Sequence, residues 1–284
     1  MTAPPDEPPD EDLSMPLPDT SPAAALHVRA RDPENLTTAP SAAPSGTEAD
    51  TGTESAVDAG DAVLDNPAWS SLSGHHRSLA EGNEHVLRYP EDVSPFVGVR
   101  DWGHPDVWDA ILEVFGHGAE VSVSHADPLL PEGWTPVFSV PGVQLVQTSR
   151  LVPRPDEEAV ELGAADSAAM NALVERTKPG PFRSRTHELG RYVGIRRDGE
   201  LIAMAGERLH PAGWTEISAV AVDERHRRQG LASRLVLDVA FHIQQRGDRA
   251  LMHASAANTS AIAGYEKLGF ALRRRLEFGA VRTP

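Results

Sequence analysis

The 284-residue chain contains no cysteine, and only 5% of its residues are aromatic. Without thiols it can form no disulfide, no thiolate metal site and no cysteine nucleophile. So few rings point to a core packed with small residues. Basic residues are also scarce, 26 Lys and Arg against 42 Asp and Glu, for a net charge of -16. That balance disfavours general nucleic-acid binding, which needs clustered cations for phosphate. It favours a cationic small molecule or a lysine-bearing peptide as partner. No apolar run has the length of a bilayer span. The N-terminus carries Pro4, Pro5, Asp6 and Glu7 where a signal peptide would have a basic and then an apolar segment. The chain is therefore expected to be soluble and cytoplasmic, without a membrane or nucleic-acid partner.

Composition changes along the chain. Residues 1–60 hold ten prolines, no aromatic residue, and twelve acidic residues against two arginines. Such a segment buries too little apolar area to offset the entropy of ordering it, so 1–60 is expected to be a disordered acidic tail. A compact α/β unit is expected over 61–152. It has a helical run at 69–80, strands at 95–99 and 120–124, a helix at 106–116, and two short strands in 134–146 broken at Pro141-Gly142. Pro153-Arg154-Pro155 is the expected boundary. Over 153–284 the pattern predicts a strand at 160–162, a helix capped by Asp166, a second helix over 182–189, and strands at 192–196, 201–209 and 215–222. An amphipathic helix from Leu231 ends at Gly247. A strand at 250–254, a helix from Asn258 to Leu268 closed by Gly269, and a final strand at 272–278 complete a mixed α/β sheet flanked by helices.

The passage from Glu216 through Val236, EISAVAVDERHRRQGLASRLV, carries the most chemistry. A strand ends at Val222, an arginine-rich loop follows, and Gly230 stands where a helix begins. Such a loop leaves backbone N–H groups converging on one point with the helix dipole behind them, an arrangement that binds phosphate oxygens. Gly230 permits close approach and Ala232 keeps the first turn slim. Arg225, Arg227, Arg228 and Arg234 gather positive charge here against the global trend. The passage matches neither a P-loop nor a dinucleotide fingerprint.

Arg227, Gly230 and Ala232 resemble the acyl-CoA signature of the GCN5-related N-acetyltransferase (GNAT) superfamily: Arg or Gln, two residues, Gly, one residue, then Gly or Ala. Asn258-Thr259-Ser260-Ala261-Ile262-Ala263-Gly264-Tyr265-Glu266-Lys267-Leu268-Gly269-Phe270 resembles its second hallmark, in the right order. The resemblance covers about 155–280. It implies the GNAT fold and acetyl-CoA as acyl donor to an amine. The amides of Arg228, Gln229, Gly230, Leu231, Ala232 and Ser233, with Arg227 before them, would cradle the pyrophosphate. Val220, Ala221 and Val222 would line the pantetheine arm on a splayed strand, with Asn258 near that arm. Tyr265 is implied as the general acid towards the thioester sulfur and Glu216 as the general base, with Glu207 competing. His226 and His253 are read as a loop residue and a packed strand residue.

Asp65 to Trp69, Arg88-Tyr89-Pro90 and Asp92 to Phe96 resemble the degenerate GNAT-like half of FR47-like two-domain bacterial members. Trp69, His75, His76, Arg88 and Tyr89 are candidates there for contacts to the acceptor. Two successive histidines make no metal site by themselves, and none is expected. The alternative function is a non-catalytic acyl-CoA-binding protein of the same fold. The amine acceptor stays open, and so does the choice between monomer and homodimer.

Overall fold

A computed structural model describes residues 59–123 and 130–284. All but the last two residues of the expected acidic tail lie outside them, as does Ser124 of the strand expected over 120–124. A 3₁₀ turn, Ala59–Asp65, leads into α1, Pro67–Ser73. Asn66 starts this helix by accepting from the Trp69 N–H, with Pro67 in the first turn where its missing N–H costs nothing. The helical run expected over 69–80 therefore stops early and gives way to a short 3₁₀ turn, Arg77–Leu79. Strands β1 (Glu81–Gly82), β2 (Val86–Arg88) and β3 (Val97–Val99) form a small antiparallel sheet, and α2 (Val107–Phe115) follows.

The rest builds one eight-stranded sheet. In chain order its elements are β4 (Glu120–Val123), β5 (Thr135–Gln147), β6 (Val160–Leu162), α3 (Ser167–Thr177), β7 (Tyr192–Arg197), β8 (Glu200–Glu207), β9 (Trp214–Val222), α4 (Leu231–Gln245), β10 (Arg249–Ser255), α5 (Thr259–Leu268) and β11 (Phe270–Arg282). The spatial order is β4-β11-β5-β10-β9-β8-β7-β6. Among the described strands only β9 and β10 pair in parallel, joined by the α4 crossover. The fold is thus the expected mixed sheet with helices on both faces. α4 packs on Val193, Ile195, Ala203, Ala205 and Ile217, while α3 packs on Tyr192, Leu201, Met204 and Ala221 from the other side. Side chains alternate between the two faces within each regular stretch, and the alternation is reset at the register shifts in the β7–β8 and β8–β9 pairings.

Three expectations are corrected. The boundary at 152–153 does not divide the sheet, because β5 lies between β10 and β11, and β4 pairs with β11. Val143 and Leu145 pack into the core under α4, while Val121 and Val123 turn their side chains to α2 and the small sheet although their backbone pairs with β11. The described part of 61–152 therefore holds no second mixed sheet of its own. Secondly, β5 runs unbroken through Pro141-Gly142. Pairing to β10 begins at Gly142, so Pro141 stands where its lack of an N–H is tolerated. Gly142 is required for close approach, since a Cβ there would lie 2.3 Å from the Phe278 ring. Thirdly, the helix expected over 182–189 is only a 3₁₀ turn, Thr186–Leu189.

Candidate active site

β9 and β10 pair from Trp214↔Arg249 to Ile217↔Met252 and then part. On its other side β9 pairs Ser218 with Gly206 and Ala221 with Met204, so two residues of β9 stand against one of β8. Ala219 is the bulged residue, in the left-handed region at φ 52. The extra residue resets the alternation, so that Ile217, Val220 and Val222 all face α4. Backbone groups of β9 beyond Ile217 are left without β10 as partner, at the point where Val220, Ala221 and Val222 were expected to meet the pantetheine arm.

The loop after β9 leaves a run of backbone N–H groups without partners among the described residues. Arg228 at φ 60 and Gly230 at φ 72 turn successive amides inward. The N–H groups of Arg228, Gln229, Gly230, Leu231, Ala232 and Ser233 have no hydrogen-bond acceptor among the described residues, and the first N–H engaged is that of Arg234, to the Gly230 carbonyl. The charge argument needs revision. Arg225 is bound to Asp223 and Glu200, and Arg234 to Asp156 and Glu158. Those two cations are already compensated by structural carboxylates. Arg227 lies 3.6 Å from Glu224. Arg228 is exposed and makes no ion pair among the described residues, which leaves its charge available to an anion. The Asp223 carboxyl is held well below the usual range, first by hydrogen bonds from Arg225, and it anchors the loop to Arg176 on α3.

The face opposite α4 carries a polar chain that links β8, β9, β10, β5 and the N-terminal segment. Glu216 is fully buried, receives Arg208 on both carboxylate oxygens, and lies 2.7 Å from His253 Nδ1. Burial opposes its ionisation, but Arg208 and His253 outweigh that and hold the carboxyl well below the usual range. Arg208 in turn stacks over the Phe96 ring at 4.6 Å. Beyond His253 lie Gln144, 3.0 Å from Nε2, then Arg273 and Asp65. Glu216 was expected to act as the base, yet it has no exposed surface through which an amine could touch it. Glu207, its competitor, is buried too, held by Arg246 and by the Arg191 N–H.

Tyr265 lies in the core on the α4 side, and its hydroxyl has no hydrogen-bond partner within the described residues. Burial pushes its pKa up, so the phenol keeps its proton at neutral pH. Asn258 caps α5 by accepting from the Ala261 N–H. Sequence reasoning missed Ala219, Arg208, Gln144 and the role of His253. The alternation of Leu251 with His253 was a usable signal for His253, once Leu251 is known to sit beside Glu216. His226 is a half-buried residue of the loop's 3₁₀ turn.

His75, His76 and His210 place ring nitrogens within 4.8 Å of one another. Both His76 nitrogens are engaged, Nδ1 with Ser71 and Tyr89 and Nε2 with the Leu189 carbonyl. The His75 and His210 rings are stacked at 4.4 Å and 14°. Trp69 and Arg88, the other candidates in this segment, belong to the packing of α1 and to a Glu81 ion pair.

A mixed sheet that splays beside a free-amide loop at a helix N-terminus is the arrangement implied by the resemblance to the GNAT superfamily. Residues 192–278 match the profile of FR47-like proteins. A GNAT-family protein from Novosphingobium aromaticivorans superimposes with a TM-score of 0.72 at 32% identity, over 79% of this chain and 100% of that one. The chain belongs to the GNAT family. A GCN5-related N-acetyltransferase from Kribbella flavida shares the fold, with a TM-score of 0.52 at 23% identity over 78% of this chain and 96% of that one. Comparison with curated proteins gave no match. No described helix is long and apolar enough to cross a membrane.

Proposed function

We propose that this chain transfers an acetyl group from acetyl-CoA to a primary amine, directly within a ternary complex. The observation that carries this reading is the adjacency of the β9–β10 splay to the six unpartnered amides at the start of α4. A pyrophosphate requires convergent N–H donors and a slim backbone, and the residues present fit. The amides of Arg228 to Ser233 converge, Gly230 adopts the left-handed turn, and Ala232 adds little bulk. Acetyl-CoA supplies an activated thioester carbonyl and a thiolate leaving group.

The protein's own groups divide the remaining work. β9 beyond Ile217 offers backbone donors to the pantetheine amides, and an N–H near Val220 polarises the carbonyl oxygen. Tyr265, protonated and facing α4, supplies a proton on the thiolate side. The acceptor enters from the opposite face, where Glu216 and His253 lie. With no cysteine in the chain, no thiol relay is available, and positioning of two bound substrates carries much of the rate.

The test is calorimetric titration of acetyl-CoA into the wild type and the Arg228→Glu, Gly230→Asp double variant, followed by a thiol-release screen over primary amines. Losing two favourable contacts of about 1.4 kcal/mol each predicts a Kd at least about a hundredfold weaker in the variant. A folded wild type that does not bind, or a variant that binds equally well, overturns the donor site. Binding without turnover of any amine assigns the chain to non-catalytic acyl-CoA binding.

A further inference from the structure

Resting on that acetyl-transfer reading, we propose that His253 is the general base of the reaction and that Glu216 is its positioning residue. Four observations lead there. First, His253 is the first residue of β10 past the last β9–β10 pair, so it stands at the mouth of the splay. Secondly, Leu251 and Glu216 are register partners on the face opposite α4, and His253, two residues on, shares that face. Tyr265 lies on the α4 side, so base and acid flank the splay from opposite faces. Thirdly, the Glu216 side chain has no exposed surface, whereas that of His253 is 8% exposed. Of the two side chains, only the ring presents surface to an incoming amine.

The fourth observation fixes the tautomer. Gln144 Oε1 accepts from Arg273, a pure donor, and Gln144 Nε2 donates to the Leu64 carbonyl, a pure acceptor. The Gln144 amide cannot be flipped without losing both bonds, so its contact with His253 Nε2 is an N–H donating to the ring lone pair. His253 therefore carries its proton on Nδ1 and donates it to Glu216 at 2.7 Å. The result is a neutral imidazole with a basic Nε2, backed by a carboxylate ready to stabilise the imidazolium. The charged groups facing this ring are Glu216, with Arg208 behind it, and Arg273 with Asp65 beyond Gln144.

In the reaction the acceptor's N–H takes the place of the Gln144 donor at Nε2. The nitrogen–carbon bond forms, the carbon–sulfur bond breaks, the nitrogen's proton passes to Nε2, and the thiolate takes a proton from Tyr265. Solvent returns the proton from His253 and reprotonates Tyr265, so the net transfer is from nitrogen to sulfur. Glu216 acts only through the ring. Leu64 and Asp65, at the end of the N-terminal 3₁₀ turn, hold the network from the far side.

The experiment compares full-length wild type, His253→Ala, His253→Gln and Glu216→Gln in thiol release with acetyl-CoA and a primary-amine panel between pH 6 and 9. Loss of a general base lowers kcat by about 10²–10⁴-fold. His253→Ala should show that loss with acetyl-CoA affinity unchanged by calorimetry, and added imidazole should restore part of it. Glu216→Gln should keep part of the rate and shift the acidic limb of the pH profile. ¹⁵N imidazole shifts of the resting protein should show Nδ1 protonated and Nε2 bare. A folded His253→Ala with wild-type kcat, a loss that imidazole does not restore, or an Nε2-protonated ring overturns the proposal. A wild type that binds acetyl-CoA yet acetylates no amine overturns acetyl transfer itself, and this role with it.

Discussion

Lowering the pH from 7 to 5 should destabilise this protein through two histidines alone. His76 and His210 are 4% and 5% exposed, packed against each other between α1 and the β8–β9 connection. Burial, reinforced by the neighbouring His75, depresses His76 from 6.5 to about 4, although its bond to the Leu189 carbonyl works the other way. Burial, with His76, His75 and Arg246 nearby, depresses His210 to about 3. Both folded values lie below the unfolded one, so the unfolded chain binds more protons below pH 6.5. Stability is complete above that pH and falls as pH drops towards the folded values. Each group costs about 1.4 kcal/mol per pH unit once below 6.5, hence about 2 kcal/mol at pH 5 and about 4 kcal/mol for the pair. That is a large share of a typical stability of about 5–15 kcal/mol. Glu216 and Asp223, whose carboxyls are depressed, keep their stabilisation down to the ordinary carboxylate range near pH 4 and do not enter this window. Urea unfolding followed by circular dichroism at pH 7, 6 and 5 measures the loss, and His210→Gln should remove about half of the pH dependence. A wild-type loss under about 1 kcal/mol, or an undiminished slope in His210→Gln, would refute the reasoning.

Two further outcomes test other parts of the structure. Arg208→Met leaves Glu216 buried without its bidentate partner and should cost about 3–5 kcal/mol in urea unfolding, whereas Arg208→Met combined with Glu216→Leu should recover much of it. Tyr265→Phe removes a hydroxyl with no hydrogen-bond partner among the described residues, so Tm should change little while kcat falls at unchanged acetyl-CoA affinity. Equal kcat in Tyr265→Phe would remove it from proton transfer.

Much of the C-terminal half was legible because its signals are local. Gly230 must stand where the backbone turns left-handed before α4, Asn258 must cap α5, and Gly269 must close it. Asp198-Gly199, between β7 and β8, adopts positive φ at both residues, as an Asp-Gly turn does. Short-range chemistry of this kind is written in adjacent residues. The loop's arginines were legible as a cluster but misleading as charge. Arg225 is compensated by Asp223 and Glu200, 2 and 25 residues away, and Arg234 by Asp156 and Glu158, 78 and 76 residues away.

What the sequence determined by itself was the order of elements from β6 to β11, the phosphate-type loop and the residues of the family's hallmarks. Only the tertiary structure decided that β4 and β5 join that same sheet, because strand pairing at long range depends on which apolar faces remain uncovered. It alone placed the bulge at Ala219, which shows only as a register shift between two paired strands. It also decided that Glu216 is enclosed by Arg208 and that His253 holds the exposed end of the dyad. Those contacts join positions 8 and 37 residues away from Glu216, and no periodicity in one strand records what lies across from it.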